Sequence, residues 1–491
     1  MMARIRSIGR RFPDYGWSWP TGKLDQLLKA ALLPDEDAAS PHAARWLDEN
    51  DIDLVSFREH RLLAAISDRF GRKLAAHPAY PRLVGLQKML WTKSRLAMRE
   101  AEPALKAMVE AGAPVMLIKG ASRIAVNASA QRGRVAHDID ILVRPQHMRV
   151  AFDVLRDRDW QIASGVSPSY LRTRLASLRS MNFFKGNFGD IDLHQLAYDG
   201  SQQSAEDDLA IWRRAIAAEF SGVGVFVPSP ADRIALAIAH GGLDAHTHSD
   251  WLVDCAVAIR GGDADWDVFL DVIARRGLAV AAAVALSYLA LEIGIPVPET
   301  VLASTIGMAD RSGLSRLSSV LQAKPRTDFG GLTWLSRGFA KQLRLKRKSG
   351  RLRQDEPDVV WRGRRVAGRA KRQSSPFVMS QAIDCPDPGG EIMLEVTVRI
   401  AVPPVRRRIE MEINGDGRHV ARLRALAISR AGGERVLRFR GKVALDPTAG
   451  RTLVIEARPS RQFRTWDDET AVATYGALPF QLVSAKFSPV S

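Results

Sequence analysis

The sequence predicts an α+β fold, with a mixed sheet between flanking helical segments and an all-β sandwich towards the C-terminus. Apolar residues recur at helical spacing on both sides of a central region, and that region has short strands that carry paired acidic residues. A third pattern, strict alternation of apolar and polar residues, begins after residue 390. With 491 residues, of which 46% are hydrophobic, the chain is long enough for several domains.

Residues 1–110 are predicted to form an N-terminal helical segment. Leu54, Phe57, Leu62, Leu63, Ile66 and Phe70 recur at near-helical spacing, and a second run continues through Leu83, Leu86, Leu90 and Leu96. Gly112 and Pro114 then interrupt the helical pattern.

Residues 111–227 are predicted to alternate strands and helices. The apolar run from Val115 to Ile118 indicates a buried strand that ends at Lys119, Gly120, Ala121 and Ser122. Pro145 favours the start of a helix, and the glycines between Lys185 and Gly189 favour a hairpin.

Residues 228–325 follow the Pro228-Ser229-Pro230 boundary and are again predicted to be helical. Their most apolar run, Leu278 to Leu291, is shorter than the roughly 20 residues that a membrane helix needs. We therefore expect a buried helix of a soluble domain and no transmembrane segment.

The last two predicted regions are a basic segment, 326–380, and a β-sandwich module, 381–491. Ile392, Leu394, Val396, Val398 and Ile400 alternate strictly, and Asn414-Gly415 is a strong hairpin signal. This module shows a faint similarity to β-modules of carbohydrate-related enzymes, and a purely structural or interaction role is an equal alternative.

Two short acidic motifs lie about fifty residues apart. One is His137-Asp138-Ile139-Asp140, and the other is Asp190-Ile191-Asp192-Leu193-His194. Residues i and i+2 of a strand point to the same side, so the carboxylates of each motif project together. Because such carboxylates repel each other, a divalent cation is their natural partner, and Mg²⁺ shared with nucleotide phosphates is the commonest case.

Together with Lys119-Gly120 and the helix after it, these motifs resemble the bacterial nucleotidyltransferase family of the DNA polymerase β-like superfamily. The flanking helical segments, including the regions of His240 and Trp251 to Asp254, are similar as well. The resemblance covers roughly residues 40–320 and implies a minimal nucleotidyltransferase sheet as the catalytic core.

The resemblance also implies roles for individual residues. Asp138 and Asp140 would hold Mg²⁺ with a nucleoside triphosphate such as ATP, and Asp192 would complete a second metal site and serve as a candidate general base. Gly120 and Ser122 would form the small-residue turn against the phosphates, and Lys119 would pair with a phosphate.

Some alternatives stay open at this point. Asp190 shares a strand face with Asp192, so either could be the third acid. The family usually has Gly-Ser or Gly-Gly at the phosphate turn, whereas this sequence has Gly120-Ala121. The paired acids could also be salt-bridge partners of nearby arginines, which are Arg132, Arg134 and Arg144.

A second constellation offers a rival metal site for zinc. It consists of His240, His246, His248, Asp250 and Asp254. His246 and His248 are a poor helical pair because residues i and i+2 do not face each other on a helix. We expect His240 and Asp254 rather to pack against the catalytic core or to form polar bonds with it.

The net charge of +17 is concentrated in residues 337–372, which hold fourteen lysine and arginine residues and three acidic ones. This segment is either a solvated linker, a contact surface for nucleic acid or another polyanion, or a membrane-surface helix. The two widely separated cysteines, Cys255 and Cys385, indicate no disulfide framework and fit a reducing cytoplasm.

The sequence thus predicts a cytoplasmic, Mg²⁺-dependent nucleotidyltransferase. It would transfer a nucleoside monophosphate from a triphosphate to an acceptor hydroxyl and release pyrophosphate. The alternative is a catalytically inactive protein of the same fold that acts as a scaffold or binds a polyanion, nucleic acid or a carbohydrate-related ligand. The sequence identifies neither the acceptor nor the base of the nucleotide.

Overall fold

A computed structural model describes most of the chain before residue 326 and the strands of its C-terminal part. The described residues are 5, 7–55, 57–162, 175, 179–198, 205–242, 250–325, 379–384, 391–402, 406–415, 418–428, 433–444, 452–459 and 480–488. One compact unit comprises residues 1–151 and 188–355, and the other comprises residues 152–187 and 356–491. Residues 326–378 of the predicted basic segment, which include its charge-dense stretch 337–372, lie outside the described residues.

The helices confirm the predicted helical pattern on both sides of the central region. Those of the described residues are α1 (Gly22–Leu32), α2 (Glu36–Glu49), α3 (Phe57–Phe70), α4 (Tyr80–Glu110), α5 (Lys119–Val126), α6 (Met148–Asp157), α7 (Ala205–Arg213), α8 (Pro230–Gly241), α9 (Asp250–Arg260), α10 (Trp266–Arg275), α11 (Ala279–Tyr288), α12 (Glu299–Asp310) and α13 (Leu314–Ala323).

The long helix α4 ends where the sequence predicts a break. Gly112 has a left-handed backbone (φ 76°) just after the helix. Its N–H donates to the Val109 carbonyl, and the N–H of Ala113 donates to the Met108 carbonyl. These two bonds form a Schellman motif, which turns the chain out of α4 and towards the sheet.

The strands before residue 228 are β1 (Met116–Leu117), β2 (Ile139–Leu142), β3 (Gln161–Ile162), β4 (Ser180–Lys185), β5 (Gly189–His194), β6 (Ile216–Phe220) and β7 (Val223–Val227). Within the first unit, five of them form part of a mixed sheet in the order β5-β2-β1-β7-β6. β2 pairs in parallel with β5 and antiparallel with β1, and β1 pairs in parallel with β7. The second unit contains the antiparallel pair of β3 and β4.

The hairpin of β6 and β7 was not predicted from the sequence. Its two connecting residues, Ser221 and Gly222, both have positive φ angles (52° and 77°). Such a two-residue turn matches the right-handed twist of the two strands. The Ser-Gly pair was the available signal, although it is weaker than Asn-Gly or Asp-Gly.

Helices from both ends of the first unit share one hydrophobic core. It contains Leu27 and Leu28 of α1, Leu63 of α3 and the apolar residues of α8 to α11. The Trp19 indole N–H donates to the Ser287 hydroxyl at 3.0 Å. The predicted boundaries at residues 110, 227 and 325 stay predictions, since a shared core does not test them.

Helix α11 lies inside the predicted apolar run and is buried along its whole length. The prediction of a buried helix is therefore confirmed. In the described part of the chain, no helix has the length and apolar character needed to cross a membrane.

The C-terminal strands form two sheets, β11-β10-β13-β8 and β12-β9-β14. Their bounds are β8 (Met379–Asp384), β9 (Glu391–Val402), β10 (Arg406–Gly415), β11 (Arg418–Ile428), β12 (Gly433–Ala444), β13 (Thr452–Pro459) and β14 (Phe480–Ser488). The hairpin indicated by Asn414-Gly415 is present, since β10 and β11 pair in antiparallel orientation, and these two residues are the last paired residues of β10, opposite His419 and Arg418. The strands agree with the predicted all-β module, and their arrangement as a sandwich stays a prediction.

Candidate active site

The two acidic motifs meet on adjacent parallel strands. Asp140 of β2 and Asp192 of β5 are register partners. Their neighbours Ile139, Ile141, Ile191 and Leu193 are fully buried and hold both strands in the core. Because side chains alternate along a strand, the two carboxylates project together from the opposite face of the sheet.

His194 completes a group that could hold a metal ion. The ligand atoms of Asp140, Asp192 and His194 all lie within 4.8 Å of one another, and no other group of three such donors occurs in the described residues. The His194 Nε2 atom is 2.9 Å from Asp192 Oδ2 and 3.2 Å from Asp140 Oδ1. The sequence motif contained His194 without giving it a role, although its i+2 spacing from Asp192 places both on one face of β5.

Asp138 and Asp190 lie near this group but outside it. Asp138 precedes the first residue of β2, is half-buried, and lines the same cleft as Asp140. Asp190 is buried in β5, two residues before Asp192. The predicted set of Asp138, Asp140 and Asp192 therefore shares two members with the group that the structure assembles, and the role of Asp138 stays a prediction.

Lys119 provides a positive charge between the two carboxylates. Its Nζ atom is 2.6 Å from Asp140 Oδ1 and 3.9 Å from Asp192 Oδ2. Lys119 has a left-handed backbone (φ 54°) and begins α5 directly after β1. That conformation costs a residue with a Cβ about 1–2 kcal/mol, and such strain is concentrated at functional sites.

The carboxylates also determine the charge state of the two basic groups. Burial by itself lowers the pKa of Lys119, but Asp140, Asp192 and Asp138 outweigh it, and the net pKa is raised. For His194, burial likewise lowers the pKa, and Asp192 and Asp140 again reverse the effect and raise it. Both groups therefore favour the cationic state beside the two acids.

The residues of the predicted phosphate turn lie in the first turn of α5. The Ser122 hydroxyl donates to the Lys119 carbonyl at 2.7 Å. A Cβ at Gly120 would lie 2.7 Å from Nη2 and 2.8 Å from Cζ of Arg134. A larger residue here would displace a buried guanidinium group, a reason for the glycine that the sequence did not reveal.

Arg134 is the centre of a buried ion-pair network. Its Nε and Nη2 atoms donate to the Asp254 carboxylate at 2.9 Å, and its Nη1 atom is 3.0 Å from Asp250 Oδ2. Arg123 pairs with Asp254 at 3.2 Å, and Arg61 pairs with Asp250 at 3.0 Å. Burial lowers the pKa of Arg134, but the two carboxylates outweigh this effect and raise it.

For Asp140, the network removes the alternative of an arginine partner, because its ion-pair partners are Lys119 and His194. Arg132 lies 3.7 Å from Asp68, and Arg144 lies over the Trp212 ring, so the arginines of this region pair away from Asp140. The expected polar bonding of Asp254 to the core is confirmed by its contacts with Arg134 and Arg123. Of the rival zinc constellation, His246 and His248 lie outside the described residues.

A cleft extends from Asp140, the member of the metal-type group that lines it, to the ion-pair network. Helix α8 lines it with Arg233, Leu236, Ala237 and His240, which are spaced as one helical face. The other lining residues are Arg61, Lys119, Gly120, Ser122, Arg123, Arg134, Ala136, Asp138, Asp140, Asp250, Trp251, Asp254, Val257 and Ala258. The cleft therefore combines metal-type donors, cationic groups and an apolar wall.

The segment that contains this cleft matches a known protein family. Residues 56–292 match the model of an uncharacterised nucleotidyltransferase family. This match supports the predicted nucleotidyltransferase assignment, and it spans α3 to α11, including every residue that lines the cleft. No curated protein and no solved structure matches the chain.

Proposed function

We propose that this chain is a metal-dependent nucleotidyltransferase that transfers a nucleoside monophosphate to an acceptor hydroxyl. The observation that carries the proposal is the convergence of Asp140, Asp192 and His194 within a segment that matches a nucleotidyltransferase family. Two carboxylates and an imidazole suit a divalent cation: oxygen ligands favour Mg²⁺ and Mn²⁺, and the imidazole nitrogen also suits Zn²⁺. The imidazole binds a metal only in its neutral form, so an ion that uses His194 as a ligand displaces its proton.

In the proposed reaction, the acceptor oxygen forms a bond to the α-phosphorus while the bond to the pyrophosphate oxygen breaks. A bound divalent cation supplies charge stabilisation for the phosphates. Asp140 and Asp192, with Asp138 beside them, hold the cation, and Asp192 takes the proton of the acceptor hydroxyl. Lys119, which contacts Asp140 in this structure, turns to a phosphate oxygen when the nucleotide enters.

The test is transfer of label from α-labelled ATP, CTP, GTP and UTP into cell extract, with Mg²⁺ or Mn²⁺ present. We expect transfer by the wild-type protein and a loss of at least a hundredfold in the Asp140→Asn and Asp192→Asn variants. Asp271→Asn is the matched control, because Asp271 is an exposed acid that pairs with Arg275 on α10. Transfer that persists unchanged in both site variants would refute the proposal.

A second candidate is a nucleotide-binding protein of the same fold without transfer activity. The observation that favours it is the contact of two internal basic groups, Lys119 and His194, with the carboxylates. Calorimetric titration separates the two candidates. Metal-dependent binding of a nucleoside triphosphate without label transfer would favour the second.

The proposal also includes three predictions from the sequence. Asp138 is a metal ligand, the protein is located in the cytoplasm, and residues 337–372 contact a polyanion. Binding through the basic segment should weaken steeply with added salt, and comparison of nucleic acid with anionic lipid vesicles would identify the polyanion.

A further inference from the structure

Arg233 differs from the other arginines of the cleft. It lies on the face of α8 that lines the cleft, on the same face as Leu236, Ala237 and His240. Among the residues that the structure describes, no hydrogen bond or ion pair joins its guanidinium group to another group, and its buried Nε atom lacks a partner. Arg61, Arg123 and Arg134, by contrast, each contact a carboxylate of α9.

The neighbouring acids are already engaged elsewhere. Asp232, next to Arg233 in α8, forms a bidentate pair with Arg214 at 2.7 and 2.8 Å. Asp254, the acid that acts on Arg233 over a longer range, is bonded by Arg134 and Arg123. Burial lowers the pKa of Arg233, and the attraction of Asp254 offsets this only in part. A partly buried cation of this kind is costly unless an anion joins it.

The position of Arg233 indicates which anion fits. The cleft also contains Lys119 and the carboxylate Asp140, at which the proposed function places the reacting phosphates. A guanidinium group binds two phosphate oxygens through parallel N–H groups, which gives both strength and orientation. We propose that Arg233 binds a phosphate group of a substrate in this cleft.

This inference rests on the proposed function for its ligand class, and two sources of the phosphate are compatible with it. One is the polyphosphate chain of the nucleoside triphosphate, and the other is a phosphate on the acceptor. In both cases the α8 face binds the phosphate from the helical side of the cleft, while β2 supplies Asp140 to the cleft and pairs it with Asp192 of β5.

The experiment compares Arg233→Gln, Arg233→Lys and a control, Arg275→Gln, in the full chain. Arg275 is an exposed arginine paired with Asp271, so its loss removes the same charge outside the cleft. Calorimetry measures binding of pyrophosphate, of ATP, CTP, GTP and UTP with Mg²⁺, and of inorganic phosphate to protein saturated with a non-hydrolysable triphosphate. Thermal melting of each variant establishes whether its fold is retained.

If the phosphate bound by Arg233 belongs to the nucleoside triphosphate, Arg233→Gln should weaken binding of pyrophosphate and of the triphosphate about ten- to a hundredfold. If the phosphate belongs to the acceptor, Arg233→Gln should weaken only the binding of inorganic phosphate to the protein saturated with the triphosphate. Arg233→Lys should lose less in either case, and it carries the test if Arg233→Gln does not fold. Arg275→Gln should bind as the wild type does.

The outcomes separate this inference from the proposed function. Equal binding of every probe by wild type and Arg233→Gln overturns the inference and leaves the nucleotidyltransferase proposal standing. Binding of pyrophosphate that depends on Arg233, without binding of any nucleoside triphosphate, supports the inference and counts against the proposed function. A wild-type protein that binds none of the probes overturns both.

Discussion

Replacing Gly120 by alanine tests why this position is a glycine. The new methyl group would lie 2.7, 2.8 and 3.0 Å from three atoms of the Arg134 guanidinium group. Carbon atoms are rarely closer than about 3.5 Å to such neighbours, so the group must move by roughly half an ångström or more. Its bonds to Asp254 and Asp250, at 2.9 and 3.0 Å, oppose that movement.

The size of the effect follows from two opposing contributions. Overpacking a tight buried site costs about 1–3 kcal/mol, and the strained ion pairs add to it. Alanine in a helix is favoured over glycine by up to about 1 kcal/mol, which offsets part of the cost. We expect the free energy of unfolding of Gly120→Ala to fall by about 1–2 kcal/mol.

Thermal and urea unfolding, followed by circular dichroism, measure this change. The matched control is Gly307→Ala in α12, because a Cβ there has no neighbour within 4 Å and should stabilise the protein by about 0.5–1 kcal/mol. In an Arg134→Lys background the clash is relieved, so Gly120→Ala should no longer destabilise the protein and should stabilise it by up to about 1 kcal/mol. A Gly120→Ala protein as stable as the wild type would refute the packing argument.

Three further predictions concern other groups. Burial raises the pKa of the Cys255 thiol well above its ordinary value. In a Cys385→Ser variant, a thiol reagent at pH 8 should therefore label Cys255 only after the protein unfolds. Fast labelling of the native protein would contradict this. Lys119→Met removes the cation beside Asp140, and it should strengthen the stabilisation of the protein by Mn²⁺ in thermal melts; weaker stabilisation would mean that Lys119 does not compete for the carboxylates. Burial raises the pKa of three tyrosines in the folded state, and a raised pKa adds stability below about pH 10 that is lost as the pH rises further. Absorbance at alkaline pH should show that the three side chains ionise only when the protein unfolds. The three residues are Tyr15, Tyr198 and Tyr288.

The sequence predicts the features that depend on a regular spacing of neighbouring residues. Apolar spacing identifies the helices on both sides of the sheet, and Gly112 marks the end of α4, because these features depend on local backbone preferences. The two acidic motifs could be identified for the same reason. Alternation alone places Asp140 and Asp192 on strand faces that are not buried in the core.

What the sequence does not predict depends on contacts between distant segments. The pairing of Asp140 with Asp192 requires the parallel register of β2 and β5. The packing of Arg134 against Gly120, and its pairing with Asp254, joins three parts of the chain that no local pattern connects. The same holds for Arg233, whose distinguishing feature is the absence of an ion pair within the described part of the chain, in contrast to Arg61 and Arg123.

The parallel register of β2 and β5 has a consequence for when an ion site can exist. A slip of one residue between these strands would turn every side chain of one strand to the other face, exchanging its carboxylate for an isoleucine or a leucine. Neither motif by itself contains all three donors of the group, so a peptide with only one motif should bind the ion more weakly than the folded protein does. Ion capture would then be an indicator that the two strands have found their correct alignment during folding.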